Sequence, residues 1–306
     1  MSNPSFSIVI PTIGRQALDK TISSILDQSE LPDEIVIWDN SGNASAMSCT
    51  RYARHPLIRW SIAKKQLNIC DSWNHAAASA EGDFIYILGD DDMLLPEAVF
   101  QIKKALNSGA KLIHLENQFI DSNDDPLSQL PENPGDISEI SGKDFIAEYC
   151  RSNRYNIFLS SLVFPKDAFN KIGGFKSIIS NGLAMDVLFN IEMLSVIEKI
   201  HVIPEPLWQY RTAVSDWCGA VKRAEDVPHF INQYLAYMEY SAKYFSGTLA
   251  ASYNDFCRRR VISQMIGVCY PASPWRSAAA IFHRGIPLME RMHILRDIFY
   301  MMRHRK

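Results

Sequence analysis

The chain has 306 residues, of which 47% are hydrophobic and 21% charged, as is usual for a globular protein with one large domain, or one domain and a smaller appendage. Its formal net charge of −3 argues against a general nucleic-acid binder, and no run approaches the ~18 apolar residues that a membrane-spanning helix needs. The charge is unevenly distributed, because residues 251–306 carry ten Lys or Arg and only three Asp or Glu. The body of the chain is therefore acidic and its C-terminal part basic.

Six cysteines occur without a CxxC pair and without metal-type spacing to histidine, and six are too few for a disulfide scaffold in a chain of this length. The opening sequence MSNPSFSIVIPTIGR has no charged n-region, and its apolar stretch is too short for a signal peptide. We therefore expect reduced thiols in a cytoplasmic protein that meets a membrane, if at all, at its inner face.

Over the first 120 residues, short β-branched runs alternate with helical periodicity. The runs are bounded by Pro, Gly, Asn or Asp and are predicted to be strands at 6–11, 34–39, 58–64, 84–88 and 111–116. Apolar residues at helical spacing predict helices between them, around 18–26, 73–80 and 99–106. This alternation predicts an α/β fold with a mostly parallel sheet and helices on both faces.

The rest of the chain is less regular. Residues 121–143 are polar and turn-rich, which predicts a surface excursion, and two further strands are predicted at 160–165 and 201–210. From about residue 220 the pattern is mostly helical, with a break at PASP, residues 271–274. We therefore predict an α/β domain over 1–218 and a helical, basic region over 219–306.

Acidic residues follow two of the predicted strands. Asp39 ends the second strand, and Asp90, Asp91 and Asp92 follow the fourth in YILGDDDMLLP. Ligands bind at the carboxyl ends of the strands in an open α/β sheet. The first strand ends in PTIGR, without the GxGxxG fingerprint, and no GxxxxGK[ST] occurs. The pattern predicts an acidic crevice that binds a hard divalent cation and, through it, a diphosphate.

Three segments, in this order, resemble the inverting family 2 glycosyltransferases. They are FSIVIPTIGR, LDKTISSILDQSELPDEIVIWDNSGN and NICDSWNHAAASAEGDFIYILGDDDMLLPEAV. The resemblance covers roughly residues 5–215 and is specific through the order and spacing of these motifs. It implies a GT-A fold, a Rossmann-like nucleotide-sugar-binding α/β/α sandwich, followed here by a C-terminal helical extension.

The resemblance also implies a donor site. The residues that it assigns to the nucleotide-sugar are Pro11, Thr12, Arg15, Asp39, Asn68, Asn74, Asp90 and Asp91. Among them, Asp39 is expected to accept hydrogen bonds from the base and Asp90 to lie beside the ribose. Asp91 and Asp92 are expected to lie nearest a Mn²⁺ or Mg²⁺ that bridges the donor diphosphate, and which carboxylate ligates it directly is left open.

Sugar transfer also needs a base for the incoming hydroxyl. In GGFKSIISNGLAMDVLFNIEML the resemblance implies that Asp186 is this catalytic base, with Met185 where the family usually has Glu. A plain N-cap for the following helix fits the local sequence of Asp186 equally well. The carboxylates 90–92 and Asp39 likewise have a structural interpretation as turn and helix-capping residues, and Arg15 as an exposed residue at a helix start.

Three positions depart from the family pattern. Cys70 stands where Gly is common, Met185 replaces the acidic neighbour of the base, and Ala213 in WQYRTAVSD replaces a histidine that helps to bind metal in some relatives. Near the C-terminus, Leu288, Met292, Leu295, Phe299 and Met302 recur at helical spacing among basic residues. This amphipathic helix either packs on its own domain or contacts anionic lipid.

The resemblance predicts a metal-dependent inverting glycosyltransferase. It would move a sugar from a nucleoside diphosphate sugar to a hydroxyl of a glycan or lipid-linked glycan, in the assembly of a bacterial surface polysaccharide such as O-antigen or capsule. The alternative, favoured by Met185 and Ala213, is a non-catalytic scaffold on the same fold that binds a sugar-nucleotide or a glycan. A nucleotidyltransferase fits less well, since PTIGRQALDK is a poor match to its glycine-rich first loop.

Overall fold

The computed structural model describes residues 3–132, 135–152, 154–178, 184–212 and 235–269, together with 288, 292, 295 and 296. The strands of this part of the chain are β1 (Phe6–Thr12), β2 (Glu34–Asp39), β3 (Ile58–Ile62), β4 (Phe84–Ile87), β5 (Met93–Leu94), β6 (Ile113–Ile120), β7 (Ser138–Ser141), β8 (Leu162–Pro165) and β9 (Lys199–Arg211). The helices are α1 (Leu18–Leu26), α2 (Ser45–Cys49), α3 (Ile69–Ser79), α4 (Ala98–Asn107), α5 (Gly142–Ser152), α6 (Lys166–Ile172), α7 (Met185–Val196) and α8 (Gly247–Cys269). Short 3-10 turns span Leu159–Ser161 and Ala242–Tyr244.

The nine described strands form one sheet in the order β3-β2-β1-β4-β8-β6-β9-β5, with β7 paired to β9. Strands β3, β2, β1 and β4 are parallel, and so are β6 and β9. Strand β8 runs antiparallel to β4 and β6, while β5 and β7 run antiparallel to β9. The predicted α/β fold is confirmed, and its parallel half places the carboxyl ends of β1, β2 and β4 at one edge.

The core is built on β1, whose residues are all buried except Pro11. A strand buried on both faces carries a continuous apolar run instead of an alternating one, as in Ile8, Val9 and Ile10. Helix α1 covers this region with the apolar face of Leu18, Ile22 and Ile25. Each such side chain contributes roughly 1.5–3 kcal/mol to stability when fully buried. This packing stabilises the part of the sheet whose edge carries the acidic residues.

Most predicted elements are confirmed, with changes in several strand boundaries, the largest being that the strand predicted at 111–116 spans Ile113–Ile120. The strand predicted at 58–64 ends at Ile62, and the strand predicted at 160–165 begins at Leu162. In the second case the hydroxyl of Ser161 accepts a hydrogen bond from the amide of Phe158, 2.9 Å away, and closes a 3-10 turn instead. The elements that were not predicted are helices α2, α5 and α6 and strands β5 and β7. Strand β7 and the start of α5 lie at the end of the segment predicted as a surface excursion, residues 121–143.

The chain divides into two compact units, and all nine described strands belong to the first. The second includes α8, where the ring of Tyr253 packs 4.4 Å from that of Phe245 and Phe256 packs 4.7 Å from Tyr149. The domain boundary predicted after residue 218, Ala213 and the PASP break lie outside the described residues, as does most of the predicted amphipathic helix. No helix of the described part combines the length and apolar character required to cross a membrane.

The turn after β2 requires glycine at position 42. Its φ is +80°, and a Cβ there would lie 2.6 Å from the backbone nitrogen of Gln66. Gly109 also has a positive φ, +97°, but a Cβ at that position would meet nothing within 4 Å. A side chain at position 109 would meet backbone strain alone, whereas one at position 42 would meet both backbone strain and steric overlap.

We expect Gly42→Ala to lower the free energy of unfolding by more than Gly109→Ala. The left-handed backbone alone costs an alanine about 1–2 kcal/mol, and Gly42→Ala adds a backbone clash to that cost. Urea unfolding of both variants measures the difference. Equal losses would contradict the close approach of this turn to residues 65–66.

Candidate functional site

The acidic loop, residues 89–92, joins β4 to β5 at the carboxyl edge of the parallel strands. Asp92 is buried, its Oδ2 accepting from the hydroxyl of Ser160 at 3.0 Å and its Oδ1 from the amide of Arg211 at 3.2 Å. The same Ser160 hydroxyl accepts from the amide of Gly89 at 3.0 Å. The loop is therefore held by β9 and by the turn before β8, and is not merely a solvated cap for α4.

The loop that leaves β1 contacts the acidic loop directly. The Thr12 hydroxyl donates to Oδ2 of Asp90 at 2.6 Å and accepts from the amide of Gly14 at 2.9 Å. The Nη1 of Arg15 lies 2.6 Å from Oδ2 of Asp91 and 3.3 Å from Oδ1 of Asp90. The structure thus brings together Thr12, Arg15 and all three carboxylates of the predicted donor site, with Pro11 half-buried beside Thr12.

Burial makes the negative charge of this loop costly. It raises the pKa of Asp90 to about 6, against the opposing effects of Arg15 and Thr12. Burial, aided by the charge of Asp91, raises the pKa of Asp92 to about 8. The two buried carboxylates, Asp90 and Asp92, cannot both ionise in a desolvated site without compensating positive charge. The electrostatics therefore favour binding of positive charge at this loop.

A divalent cation fits the carboxylates that are present. A Cβ at Gly89 would lie 2.7 Å from Oδ2 of Asp92 and 3.3 Å from Oδ1 of Asp91, so both carboxylates face a space that only glycine leaves open. No cluster of three or more His, Cys, Asp or Glu side chains in the described ranges is arranged to hold a metal ion. One or two carboxylates completed by phosphate oxygens is a usual arrangement for Mg²⁺.

Arg211 is a residue of this site that sequence reasoning missed. Its Nε donates to the carbonyl oxygen of Asp91 at 2.9 Å, in addition to the amide contact with Asp92. The hydroxyl of Thr21 on α1 supports the same loop by donating to the carbonyl oxygen of Asp92 at 2.7 Å. Arg211 lies in the YR pair of the WQYRTAVSD segment, which was the available signal, whereas Ser160 and Thr21 had none.

The structure gives Asp39, Asn68 and Asn74 local hydrogen bonds. Asp39 is fully buried, and its two carboxylate oxygens accept from the amides of Ser41 at 2.9 Å and Met47 at 3.0 Å. Asn68 is exposed and caps α3, accepting from the amide of Asp71 at 2.9 Å. These contacts shape the loops at the edge of the sheet, and nucleotide binding by Asp39 and Asn68 stays a prediction.

Asn74 lies on α3, and its amide group binds the GGF segment, while its assignment to the nucleotide-sugar site stays a prediction. Its Nδ2 donates to the carbonyl oxygen of Phe175 at 2.9 Å, and its Oδ1 accepts from the amide of the same residue at 2.7 Å. With both ends of the amide engaged by Phe175, Asn74 acts on the site by holding α3 against this segment. The sequence pattern gave the position but not the partner.

Asp186 lies in the first turn of α7, after Met185, so it does not occupy the N-cap position of that helix. Its Oδ1 accepts from the amide of Val187 at 2.8 Å. Ala184, just before the helix, has a φ of +58°, a conformation that alanine rarely adopts. Strain of this kind persists where the surrounding structure fixes the backbone, and it is common beside functional residues.

The anchoring of α7 explains how the position of Asp186 is fixed. The ring of Phe189 stacks on that of Phe175, with centroids 4.0 Å apart. The Nζ of Lys176 lies 2.7 Å from Oε1 of the buried Glu192. Together with the Asn74 contact, these interactions connect α3, the GGF segment and α7. Helix α7, which carries the predicted base Asp186, is therefore attached to α3.

We expect Asp92→Asn to be more stable than the wild type at pH 8.5 in EDTA, by on the order of 2 kcal/mol. The pKa of Asp92 is raised to about 8 in the folded state, so the folded protein holds this proton more tightly than the unfolded chain, and its stability falls as pH rises from about 4 to 8. Asparagine removes that loss, keeps an acceptor oxygen for the amide of Arg211, and replaces the acceptor Oδ2 by an NH2 group that can donate to the hydroxyl of Ser160. Thermal unfolding of both proteins between pH 4 and 8.5 measures this pH dependence. Asp136→Asn, at an exposed position, is the control. An unchanged pH dependence would contradict the burial of this charge.

Comparison with known proteins identifies the family. A model described as Glycosyl transferase family 2 matches residues 7–176. The GalNAc(5)-diNAcBac-PP-undecaprenol beta-1,3-glucosyltransferase of Campylobacter jejuni is 27% identical over 169 residues, 53% of this chain and 54% of that protein. The chain thus spans about half the length of the curated relative that it matches.

Solved structures show the same fold. Crystal structures of S. aureus TarS 1-349, alone and in complex with UDP-GlcNAc, superpose with TM-scores of 0.63 and 0.62 at 13% identity, over 98% of this chain and 91% of theirs. At this identity the likeness concerns the fold alone, and it confirms the expected GT-A architecture. Since the family model covers more than half of the chain, this protein belongs to glycosyltransferase family 2.

Proposed function

We propose that this protein transfers a sugar from a nucleoside diphosphate sugar to a hydroxyl group of a glycan or lipid-linked glycan, with inversion at the anomeric carbon. The observation that carries the proposal is the convergence of Thr12 and Arg15 with the acidic loop at the carboxyl ends of β1 and β4. In a family 2 chain, this is the edge of the sheet where a nucleotide-sugar is expected.

The donor binds at this edge in our proposal. Thr12, Arg15 and Asp90 lie side by side there, with Asp91 partly exposed beside them. The side chain of Arg15 is 38% exposed, and its guanidinium has the charge and geometry that suit a phosphate oxygen. The TarS complex with UDP-GlcNAc supports a nucleoside diphosphate sugar as donor, although the base and the sugar carried by this protein are separate questions.

Asp91 and Asp92 would hold a Mn²⁺ or Mg²⁺. Such an ion, when bound, supplies positive charge for the departing diphosphate. The opening over Gly89 and the elevated pKa of Asp92 support this assignment. Thr12, Ser160 and Arg211 fix the carboxylates through hydrogen bonds, so the loop is ordered for its ligands before they bind.

Asp186 is the proposed catalytic base. As the acceptor oxygen forms its bond to the anomeric carbon, the bond from that carbon to the diphosphate oxygen breaks, and the hydroxyl proton passes to the Asp186 carboxylate. A single displacement of this kind inverts the anomeric centre. The half-buried side chain in the first turn of α7, beside the strained Ala184, supports the role.

The proposed setting is the assembly of a bacterial surface polysaccharide, such as O-antigen or capsule, at the cytoplasmic face of the membrane. The Campylobacter relative is named for an undecaprenol-linked acceptor, which supports a lipid-linked glycan as substrate class. The basic C-terminal region would then bring the protein to anionic lipid, where such an acceptor resides.

We expect Asp186→Asn to reduce sugar transfer by about 10²–10⁴-fold while donor binding is retained, because only proton removal is lost. The assay is release of nucleoside diphosphate from UDP, GDP, dTDP and CDP sugars with Mn²⁺ and a polyprenyl-diphosphate-linked glycan. Asp167→Asn is a matched control, since Asp167 also lies in the first turn of a helix and accepts from the amide of the next residue. Full activity of Asp186→Asn would remove Asp186 from the mechanism. Donor binding by a wild type that transfers to no acceptor would favour the scaffold alternative.

Removal of divalent cations with EDTA is expected to abolish transfer and to weaken nucleoside diphosphate binding, because the buried carboxylates of the acidic loop then repel the diphosphate. Adding back Mn²⁺ or Mg²⁺ should restore both. Isothermal titration calorimetry with each nucleoside diphosphate, with and without metal, measures the binding. Activity that is unchanged in EDTA would exclude the proposed metal dependence.

A further inference from the structure

A chain of three charged residues extends from the acidic loop to the protein surface. Asp124 lies in the turn that follows β6, and its carboxylate forms ion pairs with Lys20 of α1 and Arg211 at the end of β9. We name these three residues the Asp124 bridge. Arg211 continues it inward, since its Nε donates to the carbonyl oxygen of Asp91 at 2.9 Å.

The guanidinium of Arg211 is held in three directions. Nε binds the carbonyl oxygen of Asp91, Nη1 donates to the carbonyl oxygen of Asp121 at 3.1 Å, and Nη2 pairs with Asp124. The side chain is only 9% exposed, its Nε lies on the main chain of Asp91, and the amide of the same residue binds the carboxylate of Asp92. A cation in this place has two possible partners, the carboxylates of the acidic loop or that of Asp124, and the structure shows it on Asp124.

The backbone of Asp124 supports a role for its carboxylate. Its φ is +73°, a conformation in which glycine is favoured and other residues are strained. The turn is closed by its neighbour, because Oδ1 of Asp121 accepts from the amides of Asn123 at 2.7 Å and Asp125 at 2.9 Å. Asp121 therefore closes the turn, whereas the side chain of Asp124 forms ion pairs with Lys20 and Arg211.

We propose that Asp124 is a positioning residue for the donor site. It keeps the guanidinium of Arg211 on the main chain of the acidic loop and away from the carboxylates of Asp91 and Asp92, which stay available to a cation and a diphosphate. Without Asp124, the buried guanidinium loses its counter-ion and pairs with those carboxylates instead. The proposal rests on the proposed donor site and adds a residue from outside it.

Simple electrostatics predicts the opposite sign. Removing a negative charge near an anionic ligand should strengthen its binding or leave it unchanged. Displacement of Arg211 onto the acidic loop should weaken the binding of a nucleoside diphosphate with Mn²⁺. The two explanations can thus be separated with variants that change charge alone.

The test is calorimetric titration of Mn²⁺ with the nucleoside diphosphate that binds the wild type best among UDP, GDP, dTDP and CDP, without acceptor. We expect Asp124→Asn to raise Kd about fivefold to tenfold. Asp124→Gly suits the left-handed backbone of the turn, so it should fold at least as well and show the same loss. Asp125→Asn is the matched control, because it removes one charge from the same turn without touching the bridge, and its Kd should equal that of the wild type.

Several results would overturn the proposal. They are an unchanged or lower Kd for Asp124→Asn, an equal rise for Asp125→Asn, or a lower melting temperature with unchanged Kd, which would make the bridge a structural support only. If the wild type binds none of the four nucleoside diphosphates with Mn²⁺, the proposed donor site itself fails. Binding by the wild type with equal binding by both Asp124 variants rejects the positioning role alone.

Discussion

The placement of three consecutive carboxylates at the end of a buried strand is the constraint on which the rest of this structure depends. Desolvation raises the pKa of Asp90 and Asp92, so the fold carries an electrostatic cost at this edge. The surrounding elements offset that cost in part: β1 contributes Thr12, the turn before β8 contributes Ser160, and β9 contributes the amide of Arg211. Each of these partners comes from a different part of the chain, which ties the topology of the sheet to the chemistry of the loop.

The same arrangement explains why the loop is rigid before any ligand arrives. A flexible acidic loop would have to be ordered on binding, and the loss of conformational entropy would reduce affinity. Here the side chains of Asp90 and Asp92 are already fixed by hydrogen bonds, and Asp91 keeps a partly exposed face. The scaffold thus orders the carboxylates of the loop without a ligand.

Much of the fold could be predicted because its signals are local. Buried parallel strands contain continuous apolar runs, as IVI in β1 and IVIW in β2, and α1 shows its apolar face at helical spacing. The position of the acidic loop followed from the strand that precedes it. Strand β5 could not be predicted, since it has two residues and exists through pairing with β9, more than a hundred positions later. The 3-10 turn before β8 depended on one serine hydroxyl that competes with the sheet.

The site was only partly accessible to sequence reasoning for the same reason. Thr12, Arg15 and the carboxylates belong to one ordered set of motifs, and the structure brings them together. Arg211 and Ser160 act through contacts between distant segments. The YR pair was a signal for Arg211 but not for its partners, and Ser160 had no signal. Asn74 shows the converse, because its position matched the pattern, whereas the binding of both ends of its amide to Phe175 was not foreseen.

The connection from Asn74 through Phe175 and Lys176 to α7 has a consequence for the position of Asp186. Both ends of the segment between Lys176 and Met185 are attached to the framework, one by the Asn74 amide and the Glu192 ion pair, the other by the buried Met185. The position of α7, which carries Asp186, thus depends on Asn74, which lies 101 residues before the Phe175 that it binds.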